Sequence, residues 1–290
     1  TTGIAVGMAT NMPTHNLREV AAAISAYIDN PEISIEELMH YIKGPDFPTG
    51  GTIFGTAGIK KAYTTGRGKI TIRSKFTIET DKKGRESIVF TEVPYGVNTT
   101  NIIRRIKELN RDKQIDGIVD ANDESSDRSG MRLVVELKKG AITKIVLNQL
   151  FSKTDLQANF GVINLALVPQ EKDGEPRYNE PGYLTLPQTY LKPEILTLKQ
   201  LIAHFVKHRD EVITRRTIYD LKVAKHRMHI LEALITAINN IDEVIKIIKE
   251  SRDTESAKLA LAKRFGFDEE QTQAIVDMQL KRLTHLQIED

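Results

Sequence analysis

The sequence predicts a multidomain α+β protein, in which an α+β domain with a mainly antiparallel sheet is followed by a long coiled-coil helix and a small all-helical domain. Between residues 69 and 168, strand-like alternation is mixed with helical spacing. Between residues 193 and 240, no glycine or proline follows Pro193, and apolar residues recur at helical spacing. Three shorter amphipathic segments come after that helix.

The composition is that of a globular chain with room for two or three domains. The chain has 290 residues, of which 40% are hydrophobic and 28% charged. Its net charge of +2 is nearly balanced, so partners must be inferred from local clusters. The absence of cysteine excludes disulfides and thiolate metal sites. The first residues, TTGIAVGMAT, are typical of the middle of a domain, so we expect the sequence to be part of a longer protein.

Residues 1–43 predict two capped helices that follow a stretch of small residues. Asn16 has the position of an N-cap, with Glu19 three residues later, and this helix ends at an Asp-Asn-Pro turn. Ser34 and Glu37 repeat the spacing for the second helix. The next segment, GPDFPTGG, is rich in glycine and proline, so we place a domain boundary before it.

The segment 44–192 predicts the α+β domain. Ile70, Ile72, Phe76 and Ile78 predict one strand, which a hairpin turn joins to the next strand. The further predicted elements are a strand at 88–93, a helix at 98–109, a strand at 131–137, a helix at 142–151 and a strand at 159–168. The polar, proline-containing connector of residues 169–192 predicts little regular structure.

The segment 193–240 predicts one long helix, because proline suits a first helical turn and no breaker follows. At about 1.5 Å per residue it would be about 65–70 Å long. Its apolar stripe is interrupted by Arg209, Arg216 and His226, which favours a loose antiparallel helix pair. The alternative is a long helix lying across its own domain.

The segment 241–290 predicts three shorter helices. They cover residues 242–250, residues 254–265, and residue 268 to the end of the sequence. Asp268 and Gln271 have the spacing of a capping box at the start of the third.

Three patterns have part of the spacing of a chemical site but favour structural roles. Gly50 and Gly55 have the P-loop spacing, but Thr56 stands where the lysine should be. The acidic loop NDESSDRSG lacks the later glutamate of a calcium loop. His204 and His208 lie one helical turn apart, but no third ligand is nearby, so no metal site is predicted.

Basic residues crowd the first strands of the predicted α+β domain. Alternate residues of one strand share a face, so the predicted row of Lys69, Thr71, Arg73 and Lys75 could contact phosphates. A face that is merely solvated is the alternative. The candidate DNA-binding residues are Lys60, Lys61, Arg67, Lys69, Arg73 and Lys75.

Motifs along almost the whole chain resemble the A subunits of type IIA topoisomerases, the family of DNA gyrase and topoisomerase IV. The motifs are GIAVGMATNMPTHN, DNP, GPDFPTGG, TGRGKI, TEVPYGVN, DESSDRSGMRLVVELK, HRDEVITRRTIYDL, HILEALITAINNIDEVI and AIVDMQLKRLT. The TGRGKI version favours gyrase over topoisomerase IV.

The resemblance implies a role for each part of the chain. Residues 1–43 would end the breakage-reunion region, with Ile4 as the residue that wedges between base pairs and bends DNA. Residues 44–192 would form the tower domain that supports the DNA, and 193–240 the outgoing coiled-coil helix. Residues 241–290 would form the exit-gate dimerisation knob and the start of the returning helix. Its implied dimer-interface residues are Ile275, Met278 and Leu283.

The resemblance also implies what lies outside the sequence. No tyrosine here matches the context of the family's catalytic tyrosine, so we expect that residue upstream and assign no catalytic residue. ATP and Mg2+ would be bound by the B subunit of an A2B2 heterotetramer, with no cofactor in this part. The implied partners are double-stranded DNA, a second copy of the chain and the B subunit, without a membrane, in the cytoplasm at the nucleoid. A non-enzymatic DNA-scaffold coiled-coil protein is the alternative.

Overall fold

The computed structural model describes residues 2–82, 84–128, 130–171 and 189–278. The strands are β1 (Thr2–Ala5), β2 (Met8–Asn11), β3 (Thr52–Ile53), β4 (Arg67–Arg73), β5 (Lys75–Thr80), β6 (Glu86–Glu92), β7 (Ile118–Asp123), β8 (Leu133–Leu137), β9 (Gln157–Ile163), β10 (Leu165–Glu171) and β11 (Thr189–Ile195). The helices are α1 (Leu17–Asp29), α2 (Ile35–Tyr41), α3 (Ala57–Thr65), α4 (Thr99–Arg111), α5 (Thr143–Lys153), α6 (Leu198–Asn239), α7 (Ile241–Glu250), α8 (Thr254–Phe265) and α9 (Glu269–Val276). Mixed helices and antiparallel sheets with one long helix confirm the predicted fold class.

The chain divides into two compact units, Thr1–Val206 and Lys207–Asp290. Within the described residues, no helix has the length and apolarity needed to cross a membrane. The first unit contains all the described strands, and the second contains α7, α8 and α9 together with most of α6.

The first unit contains a five-stranded antiparallel sheet with the strand order β1-β2-β9-β4-β3. Ile70 and Ile72 of β4 lie on the same face of the sheet, because alternate residues of a strand point the same way, and both are buried. Ile59 of α3 and Leu38 of α2 pack with them in one hydrophobic core. That core takes residues from both sides of the boundary predicted at 43/44, while the four-part domain division stays a prediction.

Two glycines allow α3 to lie directly on β4. A Cβ atom at Gly58 would stand 2.1 Å from the carbonyl oxygen of Lys69, and one at Gly68 would stand 2.7 Å from the Cβ of Ala62. Helix and strand therefore touch through their backbones, and α3 fixes the position of β4. Helix α3 was not predicted from the sequence, because its first residues belong to the glycine-rich segment GGTIFGTAG.

A second, four-stranded sheet has the order β5-β6-β8-β7 and packs against α4 and α5. The chain passes between the two sheets at Ser74, whose backbone N–H donates to the carbonyl of Leu156 at 2.8 Å. The single strand predicted through Ile70 and Ile78 is therefore wrong, since β4 and β5 belong to different sheets. The apolar alternation continues across Ser74 because both strands face a core, so the pattern alone could not show the break.

The strand predicted at 159–168 is also two strands, β9 and β10, separated at Asn164. β10 pairs with β11 over seven residue pairs, from Leu165↔Ile195 to Glu171↔Thr189. The two ends of the connector that was predicted to be irregular therefore lie in β10 and β11. Its residues 172–188 lie outside the described part of the chain.

The long helix α6 is confirmed as one element of 42 residues. Its predicted start at Pro193 is wrong, because Pro193 lies in β11 opposite Leu167. A strand with a free edge tolerates proline as well as a first helical turn does. The helix begins after Thr197, where Thr197 and Gln200 form reciprocal hydrogen bonds between backbone N–H groups and side chains.

The burial of α6 varies along its length. Ile202 near its start and Ala237 near its end are buried, whereas Tyr219 and Val223 in the middle are 67% and 51% exposed. The alternative of a helix lying across its own domain predicts a buried middle, which is not observed.

The second unit contains the three short helices, as predicted, around a small core that includes Val244, Leu261 and Ile275. The capping box of Asp268 and Gln271 is present. The third helix was predicted to continue to the end of the sequence, but α9 ends at Val276. Residues 279–290, the predicted start of a returning helix, lie outside the described residues.

Candidate nucleic-acid interface

The first hairpin of the chain ends in an exposed, wholly apolar tip. The register Ile4↔Ala9 and Ala5↔Met8 leaves Val6 and Gly7 as a two-residue turn. Gly7 has φ +74°, a conformation that glycine adopts at little cost. Ile4 is 94% exposed and Val6 98%. From residue 4 to residue 9 no side chain carries a polar hydrogen-bonding group, so the tip is built for apolar contact.

The base of this hairpin is held on the sheet. The side-chain amide nitrogen of Asn11 donates to the carbonyl of Gly161 at 2.6 Å, and the hydroxyl of Thr10 donates to the carbonyl of Ile163 at 3.1 Å. The tip is therefore carried by a strand that is bonded to β9.

The loop that follows the hairpin is held by a contact between a half-buried histidine and a buried tyrosine. The Nε2 atom of His15 lies 2.8 Å from the hydroxyl of Tyr63 on α3. Burial lowers the pKa of His15, although the nearby carboxylates of Glu19 and Asp46 oppose that shift. Burial also raises the pKa of Tyr63, so both rings are neutral at neutral pH.

The strand register places Ile4 on the same sheet face as two cations of β4. Asn11 pairs with Ile163, and Ile163 pairs with Arg67, so these residues form one row across three strands. Lys69 is two residues from Arg67 in β4, so the two side chains share a face. In β1, Thr2 pairs with Asn11 and Ile4 is two residues from Thr2, so Ile4 lies on the face of Asn11. Neighbouring strands lie about 4.8 Å apart, so Arg67 is about 10 Å from Asn11 across the row.

The six predicted basic residues do not form one stripe. Arg67, Lys69 and Arg73 share the solvent face of β4, whereas Lys60 and Lys61 lie on α3, which covers the other face. Lys75 starts β5 in the second sheet, so the row predicted through Lys69, Thr71, Arg73 and Lys75 ends at Arg73.

Several of these cations already have partners. Lys60 pairs with Glu36 at 3.2 Å, and Lys75 pairs with Glu92 at 3.2 Å. The pKa of Glu36 is lowered by its own backbone N–H and further by Lys60. The guanidinium of Arg73 lies 3.7 Å from the ring centroid of Phe54. Across the described ranges, no ion pair joins Lys61, Arg67 or Lys69 to an acid, so these three are the cations most available to phosphates.

A shallow groove of about 220 Å³ separates the hairpin from β10. Its walls are almost entirely apolar. They are formed by Gly3, Ile4, Ala5, Met8, Ala9, Thr10, Leu165, Ala166 and Leu167.

The residues predicted for a dimer contact have different surroundings. Ile275 is 2% exposed and packs in the core of its own unit, and its role in a dimer contact stays a prediction. Met278 is half-buried after the end of α9, and Leu283 lies outside the described residues. Spacing alone indicated an apolar face on α9 but could not show which neighbour covers it.

In the part of the chain that the structure describes, no group of three or more His, Cys, Asp and Glu side chains could hold a metal ion.

The exposure of Val6 was not predicted from the sequence, although Val6 stands in the motif GIAVGMATN. A valine before glycine in a hairpin turn was the available signal, because turns usually carry polar residues.

The whole chain, residues 1–290, matches the family model that describes the A subunit of DNA gyrase and topoisomerase IV, and the chain belongs to this family. Within the family, it is 57% identical to the DNA gyrase A subunit of Treponema pallidum (strain Nichols) over 287 residues. It is 52% identical to the DNA gyrase A subunit of Brachyspira hyodysenteriae over 285 residues, and 50% identical to that of Ureaplasma parvum serovar 3 over 289 residues. These matches cover 98–100% of this chain but 32–33% of each relative, so the chain spans about a third of their length.

Proposed function

We propose that this chain is the DNA-bending and dimer-gate part of the A subunit of a bacterial DNA gyrase. The single observation that carries the proposal is the exposed Ile4, held at a hairpin tip on the sheet face that also presents Arg67 and Lys69. Family membership and the gyrase relatives support it. In the holoenzyme, an A2B2 tetramer would pass one duplex through a transient double-strand break in another and use ATP to supercoil DNA.

The hairpin would bend the cut duplex. A branched apolar side chain that enters a base step unstacks it at a cost of a few kcal/mol. Bending a site of 20–30 base pairs by 40–90° costs on the order of 1–6 kcal/mol more. Both costs must be offset by contacts that only bent DNA reaches. Ile4 supplies apolar burial at the kink, and a duplex bent around it reaches the phosphate-binding face of β4.

The cations of β4 would hold the flanking backbone. Arg67 and Lys69 have no competing acid among the residues described, so their charges are available to neutralise phosphates. Lys61 lies on α3, behind this face, so we propose a minor role for it. Lys60 and Lys75 are paired with Glu36 and Glu92 and would contribute least.

Strand cleavage would belong to the rest of the protein. We propose that the attacking tyrosine comes from a segment outside this sequence, and that ATP and Mg2+ are bound by the B subunit. This part alone would bind duplex DNA weakly and would not cut it.

The helical second unit would form the exit gate between two copies. Since Ile275 is committed to its own core, the contact would depend on Met278 and on residues beyond it, including Leu283. Light scattering of the chain at increasing concentration tests this, because a constant monomer mass would contradict it.

The central test uses Ile4→Ala in the full-length protein, in its complex with the B subunit. We expect a smaller DNA bend by fluorescence transfer between labelled duplex ends, and slower ATP-dependent supercoiling. Leu17→Ala is the matched control, since Leu17 is also exposed, at 80%, but belongs to α1 and not to the hairpin.

Three outcomes would contradict the proposal. An unchanged bend with Ile4→Ala removes the wedge. A complex that separates linked circles but does not supercoil identifies topoisomerase IV instead. A complex that binds DNA and changes its topology in neither way identifies a non-enzymatic scaffold.

A further inference from the structure

Val6 is the most exposed large apolar side chain described in the structure, at 98% of its free area. It does not belong to any of the hydrophobic clusters of the first unit. It occupies the turn of a short hairpin, a position where polar or small residues are usual. A branched apolar residue there contributes nothing to the core, so its chemistry points to an apolar surface outside the chain.

The turn geometry determines how Val6 stands relative to Ile4. Ala5 pairs with Met8, and the positive φ of Gly7 closes the chain directly after Val6. A Cβ at Gly7 would meet no atom within 4 Å, so the glycine is required by the backbone conformation and not by crowding. Val6 is thereby held at the end of the hairpin, two residues beyond Ile4.

Ile4 and Val6 lie close enough together to contact neighbouring parts of one duplex. Two residues of extended chain span at most about 6.6 Å, and successive nucleotides of one strand rise about 3.4 Å each. Because Val6 lies in the turn two residues after Ile4, a duplex whose base step is opened by Ile4 has Val6 within about two steps of that opening. Proteins that insert an apolar side chain between base steps from the minor groove kink the duplex, and the bent DNA then contacts more of the protein surface.

We propose that Val6 is a second DNA-contacting residue, which packs against the deoxyribose edges of the minor groove beside the step that Ile4 opens. This inference rests on the proposed function, because it requires that Ile4 bends DNA. Ile4 would open the step, and Val6 would hold the opened duplex and so set the size of the bend. Contact with sugars, which every nucleotide carries, makes this contribution independent of sequence.

The test compares Val6→Ala, Val6→Ile, Ile4→Ala and Leu17→Ala in the full-length protein, in its complex with the B subunit. The probe is a linear duplex with a fluorophore at each end. For Val6→Ala we expect binding about fivefold to fifteenfold weaker, as the loss of two buried methyl groups predicts, and a smaller bend. Val6→Ile keeps the branched contact, so its affinity and bend should stay within about twofold of the parent. Leu17→Ala should change neither.

The outcomes separate this inference from the function on which it rests. If Ile4→Ala reduces bending while Val6→Ala behaves like the parent, the wedge stands and the role of Val6 is overturned. If both variants bend DNA like the parent, the proposed function itself fails. Because Val6 packs in no core of its unit, Val6→Ala should melt within about 1 °C of the parent. Weaker binding that appears together with a matching loss of folded protein would also overturn the inference.

Discussion

Gly58→Ala tests whether α3 and β4 are as close as the structure has them. In a free helix, alanine in place of glycine stabilises by up to about 1 kcal/mol. In this helix, the new Cβ would lie 2.1 Å from the carbonyl oxygen of Lys69, a backbone atom that no side-chain rotation can move. The two effects have opposite signs, so the sign of the measured change decides between them.

The magnitude follows from the same contact. Real Cβ atoms do not approach other heavy atoms below 3.0 Å, so helix and strand must separate by about 1 Å at this point. Overpacking of this kind costs about 1–3 kcal/mol and exceeds the gain in helix propensity. We expect a net loss of about 1–2 kcal/mol, which lowers the melting temperature of a unit of this size by about 2–8 °C.

The assay is urea unfolding followed by circular dichroism, together with hydrogen exchange of the peptide containing β4. Gly161→Ala is the matched control, because Gly161 lies on the neighbouring strand β9 and a Cβ there would meet nothing within 4 Å. That control should change the free energy of unfolding by less than about 0.5 kcal/mol. A Gly58→Ala variant at least as stable as the parent, with unchanged hydrogen exchange in β4, would refute the close contact.

Three further predictions test separate features. Burial lowers the pKa of His15, so the unfolded chain takes up a proton before the folded chain does as the pH falls below about 6.5. The free energy of unfolding should therefore decrease below that pH, and His15→Gln should remove this part of the pH dependence in unfolding titrations. Lys69→Gln should make the slope of log K against log[salt] for duplex binding shallower by about 0.9. Lys60→Gln should leave that slope unchanged, because Lys60 is paired with Glu36, and equal slopes for the two variants would contradict the assignment of the phosphate-binding face. Thr197→Ala should cost about 1 kcal/mol by removing the cap of α6, and Thr197→Ser should restore it; equal stability of the two variants in urea unfolding would show that the cap contributes nothing.

The sequence predicted well those elements that local signals define. Asn16, Ser34 and Asp268 each cap the helix expected from their spacing, because a capping residue acts on backbone groups within its own turn. The long helix was predictable for a similar reason, since 42 residues without a breaker leave few alternatives to a helix. Its start was misplaced because Pro193 is compatible with both a first turn and an edge strand.

The candidate site was only partly predictable. Basic residues near the first strands were visible in the sequence, but their grouping depended on which strand each one joined. Lys75 left the group because the chain changes sheets at Ser74, and Lys60 left it because α3 lies on the opposite face. The row of Asn11, Ile163 and Arg67 joins residues that are 56 to 152 positions apart, a relation that no local pattern contains.

Residue order was thus sufficient for the fold class, the helix caps, the existence of α6 and the family resemblance, since these depend on residues close together in the chain or on ordered motifs. Three-dimensional contacts were needed to learn which cations share a face with Ile4, that Ile275 belongs to its own core, and that Val6 is exposed. Strand pairing and burial arise from contacts between distant segments. Periodicity reports which face of an element is apolar, but the partner that covers it is determined by the folded chain as a whole.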